Sequence, residues 1–151
     1  MSELFAIEDI FNIMIELESL GYMHYSQMKE LTNNAKLKML FDRLSKAELE
    51  HMKLYKEFKT DIVLFKHEKV DDEYRDYMDA LLKQTVRFLE ESRNITDFDK
   101  GFSISVQLEK DTILFLNEIR RIVEPKYYDA IDHVIIQEQN HLKALYEFDA
   151  S

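Results

Sequence analysis

The sequence of 151 residues contains no cysteine, a single proline and only two glycines. Without cysteine the chain can form no disulfide framework, no zinc ribbon, no iron–sulfur cluster and no thiol nucleophile, which agrees with a reducing cytoplasm. So few glycines and prolines leave little material for the tight turns that a sheet-rich fold requires. Long helices joined by few loops are therefore expected.

Long apolar runs and an excess of basic charge are also missing. Because no run of 18 apolar residues and no basic, apolar leader occurs, we expect no transmembrane span and no signal peptide. The formal net charge of −10 argues against nucleic acid, whose phosphates would be repelled. The same acidity would attract cations, although a solvated acidic surface is the simpler interpretation. With 46% hydrophobic residues, we expect a single cytoplasmic domain over residues 1–151.

Apolar residues recur at helical spacing in four long segments and one shorter segment. A connection from about Thr60 to Lys100 separates the second long segment from the third, and it contains the shorter one. A connection of this length can return the chain to the same end of a bundle. The sequence therefore predicts an all-α four-helix bundle with a long crossover between helices 2 and 3. The expected helices are Ser2–Thr32, Ala35–Lys59, Asp72–Glu90 in the crossover, Asp97/Lys100–Val123 and Lys126–Phe148.

Charged residues interrupt the apolar face of each long helix. On the first helix, Glu18 lies among apolar positions that include Tyr22 and Tyr25, whereas Glu16 lies on the polar side. Glu109 interrupts the third long helix in the same way. A carboxylate on an apolar face must be neutralised, paired or bound to metal, because an isolated buried charge is too costly. Glu18 and Glu109 are therefore candidate functional residues.

Two Glu-x-x-His tetrapeptides occupy the second and fourth long helices, at Glu48–His51 and Glu138–His141. Residues three apart share one face of a helix, so the carboxylate and the imidazole point the same way. One such pair is more simply explained as a core histidine satisfied by a neighbouring glutamate. The second copy favours a shared function.

The spacing of these residues reveals an internal repeat. Glu48 and His51 recur 90 positions later as Glu138 and His141, and Glu18 recurs 91 positions later as Glu109. Two unrelated core pairs explain this coincidence poorly. The chain is better described as two helical hairpins, each of which supplies one Glu and one Glu-x-x-His.

Four carboxylates and two imidazoles on inward faces are the ligand set of the two-metal carboxylate sites in four-helix bundles. Two divalent cations would balance the four glutamates, which would otherwise be a badly unbalanced buried cluster. Iron is the expected metal, and manganese or zinc would also suit these ligands. We expect Glu48 and Glu138 to bridge the two metals and Glu18 and Glu109 to be terminal ligands. His51 and His141 would each bind one metal.

The motif set resembles the ferritin-like superfamily, and most closely the rubrerythrin group, over nearly the whole chain: Glu18, Tyr25, Glu48-x-x-His51, Glu109 and Glu138-x-x-His141. The resemblance implies a ferritin-like bundle whose two irons react with hydrogen peroxide or dioxygen, typically reducing peroxide. Rubrerythrins receive electrons through a rubredoxin-type centre that needs four cysteines, so here an external electron-donor protein is expected. Ferritin-like oxidation and sequestration of ferrous iron is the alternative, and a helical interaction module with a structural metal is a third. We expect a homodimer.

Several residues near this pattern have open interpretations. Rubrerythrins carry a second Glu one turn after the helix-3 ligand, where this chain has Thr112, with Gly21 as its counterpart. These small residues leave space for an oxygen species or water, or Gly21 simply permits close packing. Tyr25 is a candidate catalytic residue, as a hydrogen-bond donor or a redox-active group, and the alternative is a core tyrosine with a satisfied hydroxyl. The sequence predicts that the other histidines lie at the surface: His24, His67 and His133.

Overall fold

The computed structural model describes residues 7–64, 72–91 and 93–149. These ranges contain no β-strand, and a short 3-10 turn at Pro125–Tyr127 precedes the last helix. The prediction of an all-α fold is confirmed. The start of the first helix at Ser2, and His67, lie outside the described residues. The helices are α1 (Ile7–Leu31), α2 (Ala35–Leu64), α3 (Asp72–Glu91), α4 (Phe98–Arg120) and α5 (Tyr128–Asp149).

Short polar side chains define where two of the helices begin. The Asn34 side chain accepts hydrogen bonds from the backbone N–H groups of Lys36 and Leu37, at 3.0 and 3.1 Å, and so caps α2. Asp97 accepts a hydrogen bond from the N–H of Asp99 at 3.0 Å and caps α4. The break expected between Thr32 and Ala35 is therefore confirmed, and it contains the cap of α2.

Two helix ends differ from the predicted ones by three residues or more, and the other described ends by at most two. α2 continues to Leu64, past the predicted end at Lys59, because no glycine or proline interrupts it there. α4 ends at Arg120 rather than Val123, because the chain turns before Pro125 begins the 3-10 turn. Neither difference moves a candidate site residue out of a helix.

The helices form two hairpins and a covering element. α1 packs along α2, α4 packs along α5, and α1 also contacts α4. The crossover helix α3 lies against α1 and α4. It buries one face towards them, which explains its amphipathic sequence. The buried residues of α3 are Met78, Leu82, Thr85 and Leu89.

The two hairpins repeat each other outside the Glu and His positions as well. Lys29 of α1 pairs with Asp42 of α2 at 2.9 Å, and Arg120 of α4 pairs with Asp132 of α5 at 2.6 Å. The second pair lies 91 and 90 positions after the first, the same offsets as in the Glu and His residues. Partly exposed ion pairs contribute little stability. The two ion pairs are instead independent evidence that the two hairpins are repeats of each other.

Aromatic side chains close the core on both sides of Glu18. On one side Phe11 of α1 contacts Phe58 of α2, with ring centroids 5.8 Å apart. On the other side Tyr25 stacks on Phe41 of α2 at 6.1 Å. Glu18 lies between Phe11 and Tyr25 on the same helix. These rings pack above and below Glu18, which is 0% exposed.

Candidate metal centre

Four helices carry six buried acidic and imidazole side chains to the middle of the bundle. Their ligand atoms form two groups, and within each group all of them lie within 4.8 Å of one another. Every one of the six residues is buried, from 0% exposed for Glu18 to 9% for His141. The structure thus brings together all six residues that the repeat singled out. The two groups are Glu18, Glu48 and His51, and Glu109, Glu138 and His141.

Glu138 links the two groups into one cluster. Its Oε1 lies 2.9 Å from Nδ1 of His51 and 3.9 Å from Nδ1 of His141. Nδ1 of His51 is also 3.8 Å from Glu18, and Nδ1 of His141 is 3.8 Å from Glu109. A carboxylate oxygen between two imidazoles is placed where a ligand shared by two cations would be needed.

The cluster contains a concentration of unsatisfied polar atoms. Among the described residues, both carboxylate oxygens of Glu18 and of Glu138 lack a hydrogen-bond partner, as do Oε2 of Glu109 and Nδ1 of both cluster histidines. The short contact between His51 and Glu138 lacks hydrogen-bond geometry. Buried polar atoms in folded proteins are nearly always paired. Lone pairs that converge without donors fit bound cations, so the donor set suits a metal centre.

Protons compensate the cluster when no cation is present. Burial raises the pKa of Glu18 to about 7, and burial together with the charge of Glu138 raises the pKa of Glu109 well above its usual range. Burial alone would lower the pKa of His51, but its contacts with Glu138 and Glu18 raise it to about 11. Metal binding must therefore displace protons from these groups.

Tyr25 contacts the cluster directly. Its hydroxyl donates a hydrogen bond to Oε1 of Glu109 at 2.6 Å, and the side chain is fully buried. Burial and the adjacent Glu109 raise the pKa of Tyr25 well above its usual value, so the phenol keeps its proton. The hydroxyl is satisfied by a cluster residue, which fits both a hydrogen-bond donor to the site and a core tyrosine.

His24 is buried, and its prediction as a surface residue is wrong. The side chain is 6% exposed, and its Nε2 lies 2.8 Å from the hydroxyl of Ser105 on α4. Burial lowers the pKa of His24 to about 4. The residue lies three positions after Gly21 and four before Met28, so it belongs to the inward face of α1. His133 is exposed, as predicted.

Two residues near the cluster were not singled out from the sequence. Tyr55 lies one turn after His51, is fully buried, and has no hydrogen-bond partner for its hydroxyl within the described ranges. In the sequence Tyr55 follows the apolar spacing of α2, which by itself indicates only a core residue. Gln137, directly before Glu138, places its Oε1 2.8 Å from Nε2 of His51. This contact joins two different helices, so the spacing of residues along one helix could not predict it.

The space beside Gly21 is filled by the carboxylate of Glu48. A Cβ at position 21 would lie 3.1 Å from Oε2 of Glu48 and 3.4 Å from Cδ2 of Leu108. Glycine therefore lets this carboxylate approach the α1 backbone. Thr112, the counterpart of Gly21, is 3% exposed and donates a hydrogen bond to the carbonyl of Leu108 at 2.8 Å.

Gly21→Ala is expected to weaken metal binding while the helical fold is retained. The added methyl group would displace the Glu48 carboxylate by a few tenths of an ångström, and metal ligands depend on such positions. Isothermal titration with ferrous iron without oxygen, together with circular dichroism, would measure both effects. Gly101→Ala is the control for an added methyl group away from the cluster; its Cβ would meet Sδ of Met28, a closer contact than the one at Gly21, but the flexible Met28 side chain can move aside. Equal metal affinity in wild type and Gly21→Ala would contradict the assigned role of Glu48.

A search of solved structures relates this architecture to a known fold. A crystal structure of a protein from Thermotoga maritima, described as a candidate ferritin-like diiron-carboxylate protein, matches with a TM-score of 0.70. The match covers 100% of this chain and 99% of that chain, at 20% sequence identity. This chain has a ferritin-like fold. At that identity the similarity establishes the fold alone.

Within this ferritin-like fold, the two Glu/His groups are candidate carboxylate and histidine sites that suggest two metal ions. No protein-family model matches the sequence, and no curated protein matches it. None of the described helices combines the length and the hydrophobicity that a bilayer crossing requires. The assignment of function therefore depends on the cluster itself.

Proposed function

We propose that this ferritin-like protein is a di-iron redox enzyme that reduces hydrogen peroxide or dioxygen with electrons from an external donor protein. One observation carries the proposal: four buried carboxylates and two buried imidazoles converge, and most of their inward atoms have no partner among the described residues. The proposed metal ligands and catalytic residues are Glu18, Glu48, His51, Glu109, Glu138 and His141, with Tyr25 as a positioning residue.

The charge and chemistry of the ligands support iron. Four glutamates carry −4 when ionised, which two divalent ions would neutralise in a setting where an uncompensated charge is costly. Carboxylate ligands combined with imidazole suit iron and manganese and also accept zinc. Ferritin-like bundles that bind two irons use the same ligand set, which is two single glutamates and two Glu-x-x-His pairs. Iron is therefore the proposed cofactor.

A bound iron pair would supply two electrons, so that hydrogen peroxide and two protons give two waters. The protein's own residues prepare the site for this reaction. The carboxylates and imidazoles provide fixed ligand atoms on four helices, which hold geometry better than loops do. Tyr25 holds Oε1 of Glu109 through its hydrogen bond, and Oε2 has no partner among the described residues. Aromatic side chains pack on either side of Glu18, which is 0% exposed.

Stopped-flow mixing tests this proposal directly. Protein loaded with two ferrous ions per chain should be oxidised rapidly by peroxide or dioxygen, and a reductant should restore it for further turnovers. Glu48→Ala should abolish metal binding and the reaction, whereas Glu16→Ala, an exposed residue of α1, should change neither. Absence of oxidation by either oxidant would contradict the proposal.

Iron counting and sizing separate the enzyme from a storage protein. The proposed enzyme should retain about two irons per chain, the capacity expected of such a two-metal site, and elute as a small oligomer, for which we propose a homodimer. Retention of many irons in a large cage would instead support ferrous oxidation and sequestration.

A further inference from the structure

The two cluster histidines differ in what lies behind them. His51 turns Nδ1 towards the carboxylates, and its Nε2 lies 2.8 Å from Oε1 of Gln137. A carboxamide oxygen only accepts hydrogen bonds, so Nε2 of His51 must carry the hydrogen and donate it. This contact fixes the ring orientation and reserves Nδ1 for the cluster.

The second half of the repeat lacks this support. The offset of 90 places Ala47 opposite Gln137, and each of them directly precedes the glutamate of its Glu-x-x-His. Both positions are half-buried, so they occupy comparable places in the bundle. The alanine side chain has no hydrogen-bond acceptor, so position 47 of α2 cannot make the corresponding hydrogen bond to His141. The His141 side chain is 11% exposed, against 3% for His51.

Tyr25 adds a second difference in the same direction. It donates to Oε1 of Glu109, and this hydrogen bond competes with a metal ion for the same oxygen. Its counterpart by the offset of 91 is Leu116, which can donate nothing. Among the described residues Glu18 has both oxygens without a hydrogen-bond partner. Glu109 therefore offers one unpartnered oxygen fewer than its counterpart Glu18.

We propose that Gln137 makes the two metal positions unequal, so that the position formed by Glu18, Glu48 and His51 binds metal more tightly and fills first. The position formed with Glu109 and His141 is the weaker and more exchangeable one. An acceptor behind a metal-binding imidazole fixes its tautomer and raises its basicity, and losing it typically costs about 10–100-fold in metal affinity. The inference rests on the two-metal centre of the proposed function.

Titration of the metal-free protein with cobalt(II) alone tests the inference without any turnover. Wild type should bind its first equivalent about 10–100-fold more tightly than its second. Gln137→Ala should weaken the first step by a similar factor and bring the two steps together. Ala47→Gln should tighten the second step. Gln139→Ala, an exposed glutamine of the same helix, is the matched control and should leave both steps unchanged.

Each other result overturns the inference. Two steps of equal affinity in wild type, or equal effects of Gln137→Ala on both steps, would show that Gln137 does not distinguish the positions. If Gln137→Ala loses helicity, Ala47→Gln decides alone, and an unchanged second step overturns the inference. No cobalt binding by wild type would overturn both the inference and the proposed function. Unequal cobalt steps without any reaction of the iron-loaded protein with oxidants would overturn the proposed function alone.

Discussion

Glu109→Gln is expected to abolish binding of at least one metal ion and, at the same time, to stabilise the metal-free protein. Burial raises the pKa of Glu109 well above its usual range, so the folded metal-free chain holds this carboxyl protonated. A glutamine has the same shape as the protonated acid and still accepts the hydrogen bond from Tyr25. Folding then no longer requires proton uptake, and the gain reaches up to about 3 kcal/mol at pH 7.

Glu138→Gln is expected to lose metal binding as well but to destabilise the metal-free protein. Burial would raise the pKa of Glu138, but its contacts with Glu109 and His51 lower it, so this carboxylate is ionised. Its loss leaves the protonated His51 without its nearest carboxylate, at 2.9 Å. Breaking a buried pair costs about 3 kcal/mol or more, and release of the His51 proton would reduce that cost.

Urea unfolding of the chelator-treated proteins at pH 7, together with elemental analysis, checks both variants. Glu50→Gln is the control, because Glu50 lies between Glu48 and His51 in sequence but is exposed. It should change neither metal content nor the free energy of unfolding by more than a few tenths of a kcal/mol. Equal destabilisation by Glu109→Gln and Glu138→Gln would contradict the protonation pattern. Unchanged metal content would contradict the site.

The six cluster residues could be predicted from the sequence because they interrupt the apolar faces of the helices, and they do so in both halves of the repeat. Helical periodicity identifies which side of a helix is buried, and a charged residue on that side must be compensated. Glu18 and Glu109 stand out for this reason, and the offset of about 90 residues connects them with the two Glu-x-x-His pairs. The helical bundle and the residues at its centre can therefore be predicted from the positions of residues along single helices.

Contacts across helices could not be predicted in this way. The role of Gly21 depends on the Glu48 side chain of α2, and that of Gln137 depends on His51, so both require the packed structure. α1 contacts α2, α3 and α4, and more of its circumference is buried than one apolar stripe suggests. His24 therefore lies inside, while Tyr22, placed in the stripe from sequence, is 37% exposed.

Removal of metal is expected to make the stability of the protein fall with rising pH between pH 6.5 and 8. The pKa of Glu18 is raised to about 7 and that of Glu109 still further, so the folded chain binds protons that the unfolded chain has released. The raised pKa of His51, about 11, acts in the same direction above pH 6.5. Stability present at low pH is therefore lost, by about 2 kcal/mol over this window for each group that stays fully protonated in the folded chain. The lowered pKa values of His24 and His141, caused by burial, oppose this trend, and they do so mainly below pH 6.5.

The metal-loaded protein should show the opposite slope. Cations replace the protons of the cluster, so metal affinity and the stability that it provides increase with pH. Free metal at a thousand times its dissociation constant adds about 4 kcal/mol. Denaturant unfolding of both forms at pH 6.5 and 8 should therefore show a gap that widens with pH. Glu18→Gln should flatten the slope of the metal-free form, because it removes one of the titrating groups. Parallel slopes for the two forms would mean that protons and metal do not compete for these carboxylates.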